Sequence, residues 1–347
     1  MRGYDPSEHG VLILYNRPKG PLESELGVLE EVESVSDSLR ALGIGFEAVG
    51  VEGIEDSLLI LKERQEKIVF NLVESFGRDN LGACLIPELC ERTGKVCTGS
   101  PTPSLIKTTD KVITKGILKA NGIPTPNWQV LGPEGRLRED LEGKTLIIKP
   151  ILSDGSEGIW ADRCVIRPGE FEAPKTKALI QELMDSFPYG LMAEEFVGDS
   201  EVNIAVLEEG GKARVLGLAE IDFSLFPEGE PRIVDYLAKW DKSSFAYRNT
   251  PRVIPPRVSQ DQKEGLSVMA VELFYLFLCR DYIRVDTRIQ GERFWVIDVN
   301  TNPDISPDAG FAATLSASGW NYRDFIGKLA ENASIRYANH HQIPSER

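Results

Sequence analysis

Apolar residues first gather in a continuous block, Val11, Leu12, Ile13, Leu14 and Tyr15, which predicts a buried strand over 11–15. A Pro- and Gly-rich loop follows at 17–21. From 23 to 42 the apolar positions Leu26, Leu29, Val32, Val35 and Leu39 recur with a helical period that Gly43 closes. The segments 46–51 and 68–73 predict two more strands, with a short helix over 57–64 between them. Strand and helix in alternation predict a parallel sheet with helices packed on it.

The pattern then changes. Residues 105–121 predict one helix ending at Gly122, and Pro124 and Pro126 mark a loop. Beyond Leu131 the chain predicts strands joined by tight turns, at 145–149, 191–197, 201–207, 213–221, 282–289 and 294–300, with one long helix over 260–279. This later part is α+β where the first hundred residues are α/β, which places a boundary near residue 108. No internal repeat or low-complexity tract interrupts the pattern.

Composition narrows the function classes. A chain of 347 residues predicts two or three domains at roughly 100–200 residues each. Its 39 Lys and Arg against 54 Asp and Glu give a net charge of −15. Such a surface repels phosphate backbones, so neither nucleic acid nor an anionic membrane is expected as a partner. The residues before Val11 are polar, and the most apolar later stretch, 268–279, contains Glu272 and falls short of the roughly 20 residues of a membrane span. Five cysteines without a Cys-x-x-Cys spacing suit a reducing cytoplasm better than a zinc site or a disulfide framework. The histidines, His9, His340 and His341, lie near the termini, which argues against a histidine-based triad.

Four stretches carry chemistry. In the first, a buried strand ends at Lys149 and Pro150, and a loop with Gly155, Ser156 and Gly158 follows. Glycines admit backbone N–H groups close to phosphate oxygens and a lysine adds a point charge. Taken alone, a hairpin turn with a solvent-reaching lysine explains this stretch better. In the second, Glu194 and Glu195 end an apolar strand, followed by Val197 and Glu201. Carboxylates there suit the amine and hydroxyl donors of a nucleoside, and a solvated strand edge explains them equally well.

The third stretch holds Arg284 and Asp286, then Asp298 and Asn300. Residues two apart on a strand share a face. A three-residue hairpin loop over 291–293 would set Asp286 opposite Asp298. Two carboxylates and an amide oxygen are hard ligands that suit Mg²⁺. Structural ion pairs account for Arg284 and Asp286 but not for Asp298 and Asn300 on one face, so this stretch favours function. The fourth places Lys239 and Trp240 in a long Ser- and Pro-rich region running to Pro256, where a lid or a plain surface loop are both open readings.

In this order and spacing the four stretches resemble the ATP-grasp superfamily, and the D-alanine–D-alanine ligase family in particular. The resemblance runs from about Val69 to Leu329 and includes Phe76, Gly77 and Gly82, then Thr98, Gly99 and Ser100, then Asp110 and Lys111. It implies α/β and α+β in a three-domain ATP-grasp architecture. The expected divisions are an N-terminal parallel-sheet (pre-ATP-grasp) domain at 1–108, a central subdomain at 109–200, and a C-terminal subdomain with the metal and catalytic site at 201–347. It also implies ATP and Mg²⁺, with Mn²⁺ as an alternative. Lys111 and Lys149 correspond to ATP phosphate lysines, and Glu194, Glu195, Val197 and Glu201 to adenine and ribose contacts. Lys239 corresponds to the γ-phosphate lysine, Asp286, Asp298 and Asn300 to metal ligands, and Arg284 to the residue that stabilises the acyl phosphate and tetrahedral intermediate. Ser156, the serine that remains in the glycine loop, joins Arg284 and Lys239 in the expected catalytic set.

The chain departs from that family around the substrates. Gly155 stands where the family has a serine, Trp240 where it has a tyrosine, and Asp298 where it has a metal-binding glutamate. Asp304 and Ile305 replace Gly-Met, and Ser306, Asp308, Gly310 and Phe311 fall in the loop that holds the second substrate's carboxylate. Glu25 is the candidate for the N-terminal glutamate. The resulting expectation is a cytoplasmic ligase that joins a small-molecule carboxylate to an amine, with a product other than D-alanyl-D-alanine. A kinase on a small-molecule acceptor is the alternative, a non-catalytic nucleotide-binding relative is a third reading, and a homodimer is left open.

Overall fold

The computed structural model describes residues 10–20, 23–77, 79–132 and 136–342, with backbone alone at 23–25 and 341–342. Three sheets organise them. The first contains β1 (Val11–Asn16), β2 (Phe46–Val51), β3 (Ile68–Leu72) and β4 (Val96–Cys97) in the order β2-β1-β3-β4, all parallel. The alternation at the start of the chain thus gives the parallel sheet it predicts. Its two faces are covered by helices, including Glu23–Ala41 and Ile54–Glu63.

The second sheet is antiparallel: β5 (Trp128–Val130), β6 (Leu146–Pro150), β7 (Val165–Ile166) and β8 (Leu191–Glu195), in the order β5-β8-β6-β7. It packs on the helix Pro174–Ser186 around its own core of Leu146, Ile148, Leu179, Leu183 and Leu191. The third is also antiparallel: β9 (Ser200–Glu209), β10 (Lys212–Ile221), β11 (Arg252–Val253), β12 (Tyr282–Gln290) and β13 (Arg293–Asn300), in the order β11-β10-β9-β12-β13. The helix Gln260–Leu276 covers one face through Leu266, Ala270 and Leu273.

The other face of the third sheet merges with the first. Ala205, Leu207 and Tyr282 share one core with Val11, Phe70 and Leu39, closed by Phe325, Ile326 and Leu329 of the last helix, Tyr322–Gln342. That helix is pinned by Arg336, whose guanidinium donates to Asp281 at 2.7 and 2.8 Å and to the Cys97 carbonyl at 2.9 Å. The fully buried Asp281 also accepts the Gly99 N–H at 2.7 Å.

The chain between the second and third sheets is held close. Gly198 has φ 68°, and a Cβ there would lie 2.7 Å from the Ile289 carbonyl oxygen, so only glycine fits without displacement. On the inward crossing, the Val296 N–H donates to the Pro124 carbonyl at 2.8 Å.

The segment 105–121 is two helices, Thr102–Thr109 and Lys111–Ala120, where the periodicity predicts one. Asp110 breaks the run: its backbone is extended, and its carboxylate accepts the N–H groups of Val112 and Ile113 as an N-cap. The loop region predicted over 236–256 contains the short helices Tyr236–Trp240 and Phe245–Arg248 and the edge strand β11.

Candidate active site

A cavity of about 550 Å³ is walled by the second and third sheets, with the helix Glu23–Ala41 contributing to its rim. Twelve of the sequence-predicted site residues line it: Lys111, Lys149, Ser156, Glu194, Glu195, Val197, Glu201, Lys239, Arg284, Asp286, Asp298 and Asn300.

At one end β6 and β8 bring Lys149 against Glu194, Nζ to Oε2 at 2.9 Å. The same oxygen meets the Nζ of Lys115 at 2.7 Å. Burial raises the Glu194 carboxyl, but the two lysines together outweigh it and hold the group below its ordinary range. Glu194 thus lines the cavity with its Oε2 engaged by two lysines. Glu195 points to the rim, where Lys144 lies 3.2 Å away and the Asn127 amide donates at 3.3 Å. The Val197 carbonyl accepts Arg288 Nε at 3.1 Å. Glu201 is buried, which raises its carboxyl, with Arg288 and the Asn203 amide partly offsetting that. Lys111, the first helical residue after the Asp110 cap, donates to the Ser153 carbonyl and so grips the glycine loop.

At the middle of the cavity β12 and β13 pair Asp286 with Asp298 and Arg284 with Asn300. The pairing is the expected one and the route differs. The turn has two residues, Gly291 and Glu292, and the extra residue is a bulge in β13 between Val296 and Asp298. Arg284 grips Asp286 through Nε and Nη2 at 2.8 and 2.9 Å, and the Asn203 amide donates to Asp286 at 2.8 Å. Burial raises the Asp286 carboxyl, while Arg284 more than compensates and lowers it overall. Burial raises Asp298, and the charge of Asp286 adds to the rise while Lys111 opposes it. A carboxyl held up by burial and a neighbouring acid is one that a divalent cation would relieve, and two carboxylates beside an amide oxygen are a donor set that fits Mg²⁺. Asn300 Oδ1 also accepts the Asn302 N–H at 3.1 Å.

The helix Tyr236–Trp240 forms a shoulder over these groups. Asp235 caps it by accepting the Ala238 N–H, and its other oxygen accepts the Ala161 N–H at 3.0 Å. Lys239 faces the cavity, where burial and then Arg284 lower its pKa. Ser156, at φ 62°, donates its hydroxyl to the Val234 carbonyl at 2.9 Å, which ties the glycine loop to the start of the shoulder. Trp240 donates its indole N–H to the Gly155 carbonyl at 2.8 Å. A Cβ on Gly155 or on Gly27 would lie 3.3 Å from the indole, so the two glycines make room for it.

Acids gather at the far end. Burial, followed by the charges of Glu74 and Asp304, pushes Glu31 well above the carboxylate range, against the 2.7 Å bond it accepts from the Ile305 N–H. Burial with Asp304 and Asp154 pushes Glu74 up to about 8. Asp304 accepts the Ser306 N–H at 2.8 Å and Asp308 accepts the Ser306 hydroxyl at 3.1 Å, so both shape their loop as well as line the cavity. The side chain of Glu25 lies outside the described residues.

Sequence reasoning missed Lys115, Asn203, Glu31 and Glu74. Lys115 stands one helical turn beyond Lys111, and Asn203 two strand positions beyond Glu201, so spacing alone offered a signal for both. Glu31 and Glu74 reach the cavity only through the packing of the first sheet on the third, which no local pattern encodes.

The family described as D-ala D-ala ligase C-terminus matches residues 172–331 of this chain. A D-alanine–D-alanine ligase of Methylacidiphilum infernorum is 27% identical over 325 residues, covering 92% of this chain and 95% of that protein. An uncharacterised protein of Sinorhizobium fredii is 26% identical over 276 residues, covering 79% of this chain and 76% of that protein. Among solved structures, D-alanine–D-alanine ligase from Bacillus anthracis superposes with a TM-score of 0.73 at 18% identity, over 96% of this chain and 99% of that one. The same enzyme complexed with ATP gives 0.71 at 17% identity, with the same coverage. These matches bear out the resemblance, and the fold is the ATP-grasp architecture with a parallel sheet at its N-terminus. Among the described residues no helix is long and apolar enough to cross a membrane.

Proposed function

We propose that this chain is an ATP- and Mg²⁺-dependent ligase that joins a small-molecule carboxylate to an amine through an acyl phosphate, with a product other than D-alanyl-D-alanine. The observation that carries the reading is the convergence of twelve candidate residues on one cavity, in a fold shared with ligases of this kind. A substrate carboxylate oxygen attacks the γ-phosphorus of ATP and ADP leaves. The amine nitrogen then attacks the acyl carbon, the C–O bond to phosphate breaks with its electron pair leaving on the phosphate, and the amine proton passes to solvent. Lys111, Lys149 and Lys239 hold the phosphates. Arg284, fixed by its two bonds to Asp286, faces the charge that develops on the acyl oxygen. Asp286, Asp298 and Asn300 would hold Mg²⁺, which supplies charge neutralisation to the phosphate oxygens when bound.

The substrate reading rests on the far end of the cavity. Trp240 with Gly155 sets an indole where the resembled family places two hydroxyls. Asp304 and Asp308 line the wall beside Glu31 and Glu74, whose carboxyls burial holds toward the protonated form, an acidic lining that suits a cationic or uncharged amine better than an α-amino acid with a free carboxylate. The loop hydrogen bonds of Asp304 and Asp308 moderate their share of that effect.

The test is a panel of carboxylates and amines with MgATP, read by phosphate release and product mass. ADP formation that requires both partners, with an amide product, is expected. A phosphorylated acceptor formed without any amine would establish the kinase alternative, and efficient D-alanyl-D-alanine synthesis would refute the substrate assignment.

A further inference from the structure

Glu194 Oε2 is shared by two lysines that differ in every other respect. Lys115 is fully buried, lies behind the cavity wall, and makes a second bond from Nζ to Thr125 Oγ1 at 3.0 Å. Thr125 is itself fixed, since its hydroxyl donates to the Val296 carbonyl at 2.9 Å. Lys149 faces the cavity, with its side chain 10% exposed, and reaches Glu194 at 2.9 Å. One lysine is thus built into the wall and the other is free to turn toward whatever enters.

Such an arrangement solves an electrostatic problem. A lysine that must bind an anion cannot easily leave a carboxylate that is only 2% exposed, because the abandoned charge would stand unpaired in a medium that solvates it poorly. A second lysine on the same oxygen removes most of that penalty. We infer that Lys115 is a positioning residue that keeps Glu194 neutralised, so that Lys149 can exchange its carboxylate partner for a nucleotide phosphate. The inference rests on the nucleotide reading of the cavity. Burial lowers Lys115 to about 8 with Glu194 opposing the shift, which agrees with a lysine that stays charged at neutral pH because of its carboxylate partner.

The two groups make a prediction that packing alone does not. Without Lys115, Lys149 becomes the sole counter-ion of Glu194 and is held there. Removing the carboxylate as well then releases it. The experiment is calorimetric titration of the full-length protein with Mg²⁺ and a nonhydrolysable ATP analogue, and with Mg²⁺ and inorganic tripolyphosphate, which carries no adenine. Lys115→Met should weaken both by roughly 10–100-fold, the scale of a buried charge pair tightened by loss of its third member. The double variant Lys115→Met with Glu194→Gln should recover to within about fivefold of wild type on the same argument. Affinity unchanged in Lys115→Met, or a double variant as weak as the single, overturns the inference. If Lys115→Met does not fold, Glu194→Gln decides: tripolyphosphate binding as tight as wild type or tighter supports the exchange, and a loss beyond about tenfold overturns it. A wild-type protein that binds neither probe refutes the nucleotide reading itself, and the inference with it.

Discussion

Arg284→Ala tests the centre of the site, because its effects on stability and on turnover come from different contacts. The substitution removes two hydrogen bonds, at 2.8 and 2.9 Å, from a pair whose side chains are 15% and 12% exposed. Asp286 then keeps the Asn203 amide at 2.8 Å and the charge of Lys239, and faces Asp298 across the strands. Breaking a fully buried pair from one side costs about 3–5 kcal/mol. This pair opens on a cavity, so water recovers part of that, and ~2–3 kcal/mol is expected in urea unfolding at neutral pH. Arg284→Ala with Asp286→Asn removes the stranded charge and should regain ~1 kcal/mol or more of the loss. Turnover should fall by about 10²–10³, the usual result of losing a preorganised donor to developing charge. The KM for ATP should change by less than about threefold, since that charge develops only during acyl transfer. Steady-state ADP release, with ATP varied at saturating carboxylate and amine, reads both constants. A large rise in KM for ATP with turnover preserved would refute the role of Arg284 at the acyl centre and make it a nucleotide anchor.

Four other outcomes follow from the same geometry. Asn300→Ala should abolish turnover at saturating Mg²⁺ while costing only ~1 kcal/mol of stability for its bond from the Asn302 N–H; wild-type activity would remove it from the metal set. Asp286→Ala should be equally inactive, but it strands Arg284, so its melting temperature should drop well below that of Asn300→Ala. Tryptic cleavage at Lys242 and Arg248, between and at the end of the two short helices near the cavity, should slow when a nonhydrolysable ATP analogue is added with Mg²⁺; equal rates would show that this segment is no lid. Glu74 sits at about 8 when folded against an ordinary 4.5, so the native state binds the extra proton between those values. Stability of the ligand-free protein should therefore fall as pH rises from about 5 to 8, and Glu74→Gln should flatten that slope in thermal melts, whereas an unchanged slope would assign it to other groups.

The grouping of Lys149, Glu194, Arg284, Asp286, Asp298 and Asn300 on one cavity was legible in the sequence because these residues lie on strands, where a period of two decides which side chains share a face. Asp286 opposite Asp298 follows from that period plus the hairpin. The exact route did not, because a bulge can replace a loop residue without moving the pair. Asp110 misled for a related reason: the apolar period continues through it, while its carboxylate is a better cap than a helix-interior group. What spacing could not show was competition between elements for the same atom. Glu194 sits in a stretch that suits a nucleoside contact, and only the approach of Lys115 from a helix reveals that its oxygen is already taken. Glu31 and Glu74 were hidden in the same way, since they are distant in sequence from Asp304, which the loop after β13 did point to, and meet it only across packed layers.

The last helix, by joining the first sheet to the third in one core, gives the molecule an anvil and a lever. The anvil is the pair of sheets that the helix Tyr322–Gln342 locks together. The lever is the second sheet, which packs around a core of its own and is joined along the chain by two short crossings. Both crossings are fastened to the β12–β13 hairpin, through Pro124 on Val296 and Gly198 against Ile289. That hairpin also carries Arg284, Asp286, Asp298 and Asn300. The fastening points and the candidate site residues therefore lie on the same piece of structure, so any tilt of the second sheet would pivot beside the residues it faces.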